Sequence, residues 1–308
     1  MEKVSIIVVT YNGLQWIEKC LQSILPSYDV IVVDNNSTDG TLSIIEEKFS
    51  KVKVLAQKVN LGFGQANNIG ISYAINKGAD YVFLLNQDAY LKKNTISKLV
   101  ELSGINKEYG VLSPIHLNGA GTKLDLNFSC YIQNNKELQY DALKNHFTNQ
   151  IYDVPFVNAA GWLIPKEIIE IVGGFDPIFF HYGEDDNFCQ RVLFHGYKIG
   201  IAPEVYMMHD REYRKPKINN SVAEYLKNLE RRYKLELANI NVNFNSNISQ
   251  KDKLWLKKIL KYLLKFDFNL VNRCIKERKV YKKVIPAIIQ SRELNKTKGA
   301  HYIDLLNK

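Results

Sequence analysis

Val4-Ser5-Ile6-Ile7-Val8-Val9-Thr10, followed at once by Tyr11-Asn12-Gly13, is the stretch on which the fold turns. The run is apolar without alternation and rich in β-branched residues, the pattern of a strand buried on both faces. It is far shorter than the roughly 20 apolar residues of a membrane span. It also lacks a basic leader and a small-residue cleavage site, so it reads as a first strand rather than a secretory signal. Working outward, Asp29–Asp34, Val52–Leu55 and Tyr81–Leu85 repeat the unit. Helical spacings lie between the runs. Trp16, Cys20 and Ile24 recur every four residues, Ser37 and Thr38 offer caps ahead of Ile44 and Ile45, and Gly62 to Lys77 closes at Gly78. Strand–helix–strand repetition predicts an α/β fold, a mostly parallel, Rossmann-like sheet flanked by helices. Residues 110–160, punctuated by Gly110, Pro114, Gly119, Gly121 and Pro155, predict short strands and loops. From about Lys215 the chain becomes helical and basic.

The 308 residues are 46% hydrophobic and 24% charged, which excludes disordered and low-complexity classes, and no apolar run is long enough for a polytopic membrane protein. Cys20, Cys130, Cys189 and Cys274 are scattered, without metal-ligand spacing, and predict free thiols in an intracellular protein. The net charge of +9 conceals a split: residues 1–210 carry −6 and residues 211–308 carry +15. A slightly acidic body with a strongly basic tail suggests two tasks, the tail seeking a polyanionic surface. No nucleic-acid module accompanies that charge, so nucleic acid is not expected as a partner.

Ligands of doubly wound sheets sit at the carboxyl ends of the strands. Asp34 ends the second run and either caps the next helix or accepts hydrogen bonds from a nucleoside. Asn60-Leu61-Gly62-Phe63-Gly64-Gln65-Ala66-Asn67 opens a helix with two glycines, which let backbone approach a ligand. It is not a dinucleotide fingerprint, because the first turn, where that motif belongs, is Tyr-Asn-Gly. Asn86-Gln87-Asp88 follows the fourth run; Asp88 is either a turn residue or a ligand for a hard divalent cation. Gly173-Gly174-Phe175-Asp176 precedes Phe179-Phe180-His181-Tyr182-Gly183-Glu184-Asp185-Asp186, three adjoining carboxylates where one cap would serve a helix at Asn187–His195. If the helix starts near Glu184, neighbouring side chains diverge by about 100° and one carboxylate faces the substrate. His209 closes the apolar stretch Ile199–Met208.

In order, spacing and strand-end position these segments resemble the family 2 glycosyltransferases of GT-A fold, including bacterial rhamnosyltransferase-like enzymes of polysaccharide biosynthesis. The resemblance covers roughly residues 3–212. It implies a catalytic domain over 1–212, with a nucleotide-sugar-binding half (1–110) and an acceptor-binding half (111–212), and a basic helical extension over 213–308. It implies donor contacts at Thr10, Tyr11, Asn12, Asp34, Asn60, Gly64, Asn67 and Asn86, and acceptor contacts at Gly161 and Trp162. The Glu184-Asp185 pair would supply the general base, most often its Asp. Asp88, with His209, would hold a divalent cation, Mg²⁺ or Mn²⁺, against the diphosphate. The usual acidic motif is Asp-x-Asp or Asn-Pro-Asp; here Asn86-Gln87-Asp88 keeps one carboxylate. The implied activity is transfer of one sugar, with inversion, from a UDP- or dTDP-sugar to a glycan or lipid-linked saccharide. The alternative is an inactive nucleotide-sugar-binding or scaffold protein.

Lys251–Phe266 reads KDKLWLKKILKYLLKF. On a helical wheel Trp255, Leu256, Ile259, Leu260, Tyr262, Leu263, Leu264 and Phe266 form one face against Lys257, Lys258, Lys261 and Lys265. Such a helix either lies on an anionic membrane, making the protein cytoplasmic and peripheral to the inner face, or packs on the body with its lysines solvated.

Overall fold

The structure, a computed structural model, describes residues 2–212 and 221–306. The chain divides into two compact units, one of residues 1–214 with 298–308 and one of residues 215–297.

In the first unit the repeated runs become β1 (Val4–Thr10), α1 (Ile17–Gln22), β2 (Asp29–Asp34), α2 (Thr41–Lys48), β3 (Lys53–Ala56), α3 (Phe63–Asn76) and β4 (Tyr81–Asn86). β1 lies between β2 and β4, parallel to both, with Thr10 opposite Asp34 and Val9 opposite Asn86. Three strand ends therefore reach one edge together. Side chains alternate across a strand, and here both faces are covered. Ile6, Val8, Val32 and Phe83 join Ile17 and Leu21 of α1 on one side, while Ile7, Val33 and Leu84 join Ala66, Ile71 and Ala74 of α3 on the other. That double burial is why the runs do not alternate.

The rest of the unit is β5 (Ala89–Leu91), α4 (Thr95–Ile105), β6 (Tyr109–Asn118), α5 (Leu126–Ile132), α6 (Lys136–Lys144), β7 (Tyr152–Asp153), β8 (Gly161–Pro165), α7 (Lys166–Val172), α8 (Glu184–Phe194) and β9 (Lys198–His209). The sheet runs β3-β2-β1-β4-β8-β6-β9-β5, with β7 on β9. β8 enters antiparallel between β4 and β6, so the sheet is parallel in its first half and mixed in its second.

Residues 110–160 hold most of the ten-residue β6 and two helices besides the short β7 and the loops expected there. Pro114 sits in β6 where its register with β9 shifts, a place that tolerates the missing N–H. The Asp125 carboxylate caps α5 by accepting from Phe128 N (2.9 Å), and Asn135 caps α6 by accepting from Leu138 N (2.8 Å). Ser37 and Thr38 do not cap α2. That position belongs to Gly40, at φ 88°, while Ser37 Oγ accepts from Asn12 N (2.9 Å).

The second unit comprises α9 (Val222–Leu237), α10 (Phe244–Leu263) and α11 (Phe268–Asn295). Tyr233 meets Trp255 and Tyr281 edge-on, and those two rings are tilted against each other, with centroids 4.7–5.7 Å apart. The single broad apolar face read from the wheel is therefore divided. Trp255 belongs to this core and Ile259 and Tyr262 are half-buried, whereas Leu256, Leu260, Leu263, Leu264 and Phe266 are exposed. No helix among the described residues is long and apolar enough to cross a membrane. The closing residues, 298–306, return to the first unit.

Candidate active site

The strand ends are tied to one another before any ligand is considered. Thr10 Oγ1 donates to Gln87 Oε1 (2.6 Å), which also accepts from Tyr11 N (3.0 Å). Asn12, at φ 48°, accepts from Thr38 N through its side chain (2.8 Å). Asp34 is buried; Oδ2 accepts from Ser37 N (3.0 Å), and Oδ1 has no hydrogen-bond partner among the described residues. The neighbouring Asn35 staples the next loop, its Nδ2 donating to Gly62 O (2.9 Å) and its Oδ1 accepting from Leu61 N (3.0 Å).

These loops border a cleft of about 500 Å³. On one wall the positive φ of Gly183 (102°) turns the chain into α8, whose first residues, Glu184 and Asp185, line the cleft. Burial pushes the Asp185 carboxyl up from its ordinary value, and backbone amides from Asp186, Asp185, Ala159 and Gly183 offset part of that rise.

A second part of the lining is made by pairing. β5 runs antiparallel to β9 with Ala89 opposite His209, and Asp210 N donates to Asp88 O (2.7 Å), so Asp88 and His209 are neighbours. Both are buried, with His209 Nε2 3.6 Å from Asp88 Oδ1. Neither ring nitrogen of His209 is hydrogen-bonded among the described residues. Behind His209 lies the buried His116, its ring centroid 6.1 Å away and Ser113 Oγ 3.0 Å from its Nε2. Burial, then the neighbouring His209, lowers the pKa of His116 well below its ordinary value, so its ring is neutral.

Arg211 lies on the same side. Among the described residues it is the one Lys or Arg lining the cleft. Its Nε donates to Asp125 Oδ2 (2.8 Å), and its NH2 group pairs with Asp125 Oδ1. Burial disfavours this guanidinium, but the bonds and charge of Asp125 outweigh burial and raise its pKa.

Of the expected residues, Tyr11, Asn60, Asn86, Asp88, Glu184, Asp185 and His209 line this one cleft. The others do not line it, Asp34 among them, although its neighbour Asn35 does. Thr10 and Asn12 are spent on the ties just described, and Asn67 donates to Phe63 O within its own helix (3.0 Å). Gly64 is a packing glycine: a Cβ there would lie 2.9 Å from Phe175 Cβ and 3.4 Å from Glu184 Cβ. Gly161 and Trp162 do not line the cleft. A Cβ on Gly161 would meet Met207 Sδ at 2.4 Å, and Trp162 is fully buried against Phe175 and Phe188. Asn35, Tyr131 and Arg211 line the cleft without having been expected. Asn35 and Arg211 stand one and two residues from Asp34 and His209, a signal within reach; Tyr131 is on α5, in the stretch read as loops.

The donor set fits a divalent cation. Asp88 and His209 offer one carboxylate and one imidazole, and no group of three or more His, Cys, Asp or Glu side chains suited to a metal occurs among the described residues. A cation held here would complete its shell with diphosphate oxygens and water, as Mg²⁺ and Mn²⁺ do.

Known proteins resemble this chain in sequence and in fold. The family model described as "Glycosyl transferase family 2" matches residues 5–170, more than half of the chain. A dTDP-rhamnosyl transferase, RfbF of Shigella flexneri, is 28% identical over 208 residues, 66% of this chain and 67% of its own. The low-salt glycan biosynthesis hexosyltransferase Agl10 of Haloferax volcanii is 24% identical over 232 residues, 73% of each. In structure, the mannosyltransferase PcManGT from Pyrobaculum calidifontis, in complex with GDP-Man and Mn²⁺, superposes with a TM-score of 0.54 at 20% identity. The match covers 78% of this chain and 63% of that one. S. aureus TarS 1–349 gives 0.52 at 16% identity and 92% of each chain.

Proposed function

The chain belongs to glycosyl transferase family 2, with the GT-A fold, and from that premise we propose that it moves one sugar, with inversion, from a nucleoside-diphosphate donor to a glycan or lipid-linked saccharide. A dTDP- or UDP-sugar is the donor we infer, and cell-surface polysaccharide the product. The dTDP-rhamnosyl transferase and the glycan-biosynthesis hexosyltransferase among its relatives support that choice.

One observation carries the reading: a single cleft is lined by the acidic start of α8 and by the Asp88–His209 pair with Arg211. Inversion needs a base on one side of the anomeric carbon and charge stabilisation on the other. Asp185 takes the proton of the attacking hydroxyl, and its raised pKa makes it a stronger base than an exposed carboxylate. Asp34, one residue before the cleft-lining Asn35, receives the nucleoside through its unbonded Oδ1, and Tyr11, Asn60 and Asn86 line the cleft. Asp88 and His209 would hold a divalent cation, which when bound would supply positive charge to the departing diphosphate. Arg211 adds a cation whose orientation Asp125 sets. Thr10, Asn12 and Gln87 hold the loop that carries Tyr11.

The test is transfer from dTDP- and UDP-sugars with Mg²⁺ or Mn²⁺, beside the same assay in EDTA. Turnover with one donor, lost in EDTA and in Asp185→Asn, supports the proposal. Donor binding with no turnover under any condition would favour a scaffold. We place the enzyme at the inner face of a membrane through the exposed Leu256, Leu260, Leu263, Leu264 and Phe266, with Lys257, Lys261 and Lys265 attracting anionic lipid.

A further inference from the structure

Two adjacent glycines, Gly173 and Gly174, stand ahead of the loop that leads to α8, and nothing in the cleft requires them. Their neighbours supply the reason. A Cβ on Gly173, at φ 82°, would lie 2.5 Å from His301 O, and one on Gly174 would lie 2.4 Å from Asn68 Oδ1 and 2.5 Å from Ile303 Cδ1. The glycines admit the closing segment of the chain, which rejoins the first unit after some eighty residues spent in the second.

The segment is held at several points. Gly174 N donates to His301 O (2.7 Å) and Gly299 N to Ile171 O (2.9 Å). Farther along, Asn76 Nδ2 donates to Asp304 O (2.8 Å), Asp304 N to Ser72 Oγ (3.0 Å) and Leu306 N to Asn76 Oδ1 (2.9 Å). Ile303 and Leu305 pack on the core of that face. Tyr302, in a left-handed conformation (φ 68°) that bulky residues avoid, points its hydroxyl at Asp176 Oδ2 (3.1 Å). The Arg191 guanidinium of α8 lies 5.8 Å from the Tyr302 ring, fully buried, and donates to Val172 O (2.6 Å) and Gly174 O (2.5 Å).

Asp176 is where this matters. It is buried, its Oδ1 accepts from Ile178 N (3.0 Å), and it begins the loop 177–183, from which Phe180, His181 and Tyr182 line the cleft ahead of Glu184 and Asp185. Asn68 grips the preceding residue through both backbone groups of Phe175, at 2.7 Å each.

We propose that residues 298–306 form a strap that completes the catalytic unit, Tyr302 and Asp176 being positioning residues that hold the 177–183 loop and the start of α8 in register with the cleft. The step from loop position to turnover rests on the function proposed above; the strap itself does not. Residues 298–306 thus belong to the same unit as the cleft and take part in placing the acidic start of α8.

The test uses the full chain with Tyr302→Phe, which keeps the ring over Arg191 and removes the hydroxyl, and with Asp176→Asn. Amide hydrogen exchange should quicken at least fivefold in residues 177–183 while β1 and β4 keep their protection. Turnover should fall about tenfold with donor KM within twofold of wild type, and the double variant should lose no more than the worse single one. Unchanged exchange in the loop would overturn the strap whatever the activity does. Faster exchange throughout the unit would also overturn it, since the contact would then only hold the fold. Faster loop exchange with unchanged turnover would keep the strap and break its link to catalysis, and Asp185→Asn, assayed alongside, shows separately whether the base assignment stands.

Discussion

Single carboxylates acquire different tasks here from their surroundings. Asp185 is raised by burial, with Glu184, Asp186, Tyr131 and Cys189 as its titratable neighbours, while Asp125 is held low because the Arg211 guanidinium and Phe128 N–H outweigh its burial. A base with a raised pKa stays protonated to higher pH. The acid limb of kcat/KM should therefore rise with an apparent pKa above the usual carboxylate range. Asp185→Asn should cut turnover by about 10²–10⁴-fold with donor affinity kept, as measured by nucleotide-sugar titration. Wild-type turnover in that variant, with loss in Glu184→Gln, would move the base by one residue. Arg211→Gln leaves Asp125 without its partner and removes the cation. Turnover should drop about a hundredfold, with a smaller effect on acceptor KM. Asp34→Ala should raise donor KM far more than it lowers kcat, and equal losses in both would make Asp34 a fold residue.

Between elements, the contact of α3 with Phe175, in the segment between α7 and α8, decides how the Asn60–Asn67 motif is understood. Alanine is a better helix former than glycine by about 1 kcal/mol. At Gly64 the added methyl meets Phe175 Cβ at 2.9 Å, an atom fixed to the backbone that cannot rotate aside. Overpacking of this kind costs about 1–3 kcal/mol, so the clash wins. Gly64→Ala should lower stability in a urea titration while donor KM follows only as far as the fold is lost. A large rise in donor KM at unchanged stability would restore Gly64 to the donor site. β5 and β9 make the same point constructively, because their antiparallel register brings His209 to Asp88 across more than a hundred residues of chain.

Over the whole molecule the charge split has a testable consequence. Attraction between exposed lysines and anionic lipid is worth about 1 kcal/mol per residue and is screened over about 8 Å at physiological salt. Replacing Lys257, Lys261 and Lys265 with Gln should release the protein from anionic vesicles in co-sedimentation, and added salt should release the wild type. Turnover on a soluble acceptor should survive both. Indifference of the wild type to anionic vesicles at low salt would end the anchor idea.

The parallel half of the sheet was legible in the chain because continuous apolar runs have one stable use, burial on both faces, and strand-end positions follow from it. Asp88 and His209 could be placed at strand ends for the same reason, whereas Asp185 starts a helix and was singled out by its run of carboxylates and the family resemblance. The second half was less legible. Gly110 and Pro114 resemble loop punctuation, yet β6 absorbs both at register shifts with β9, a compensation that lies in another strand. Trp162 and Trp255 show the same limit, for an aromatic residue suits a core or a binding surface equally until its neighbours are known. The pairing of His209 with Asp88, the clamp of Asp125 on Arg211 and the seat of residues 298–306 on Gly173 and Gly174 join parts of the chain that no local pattern connects. Local sequence sets which strands and helices form, through propensity and the period of burial; only packing decides which of their ends meet.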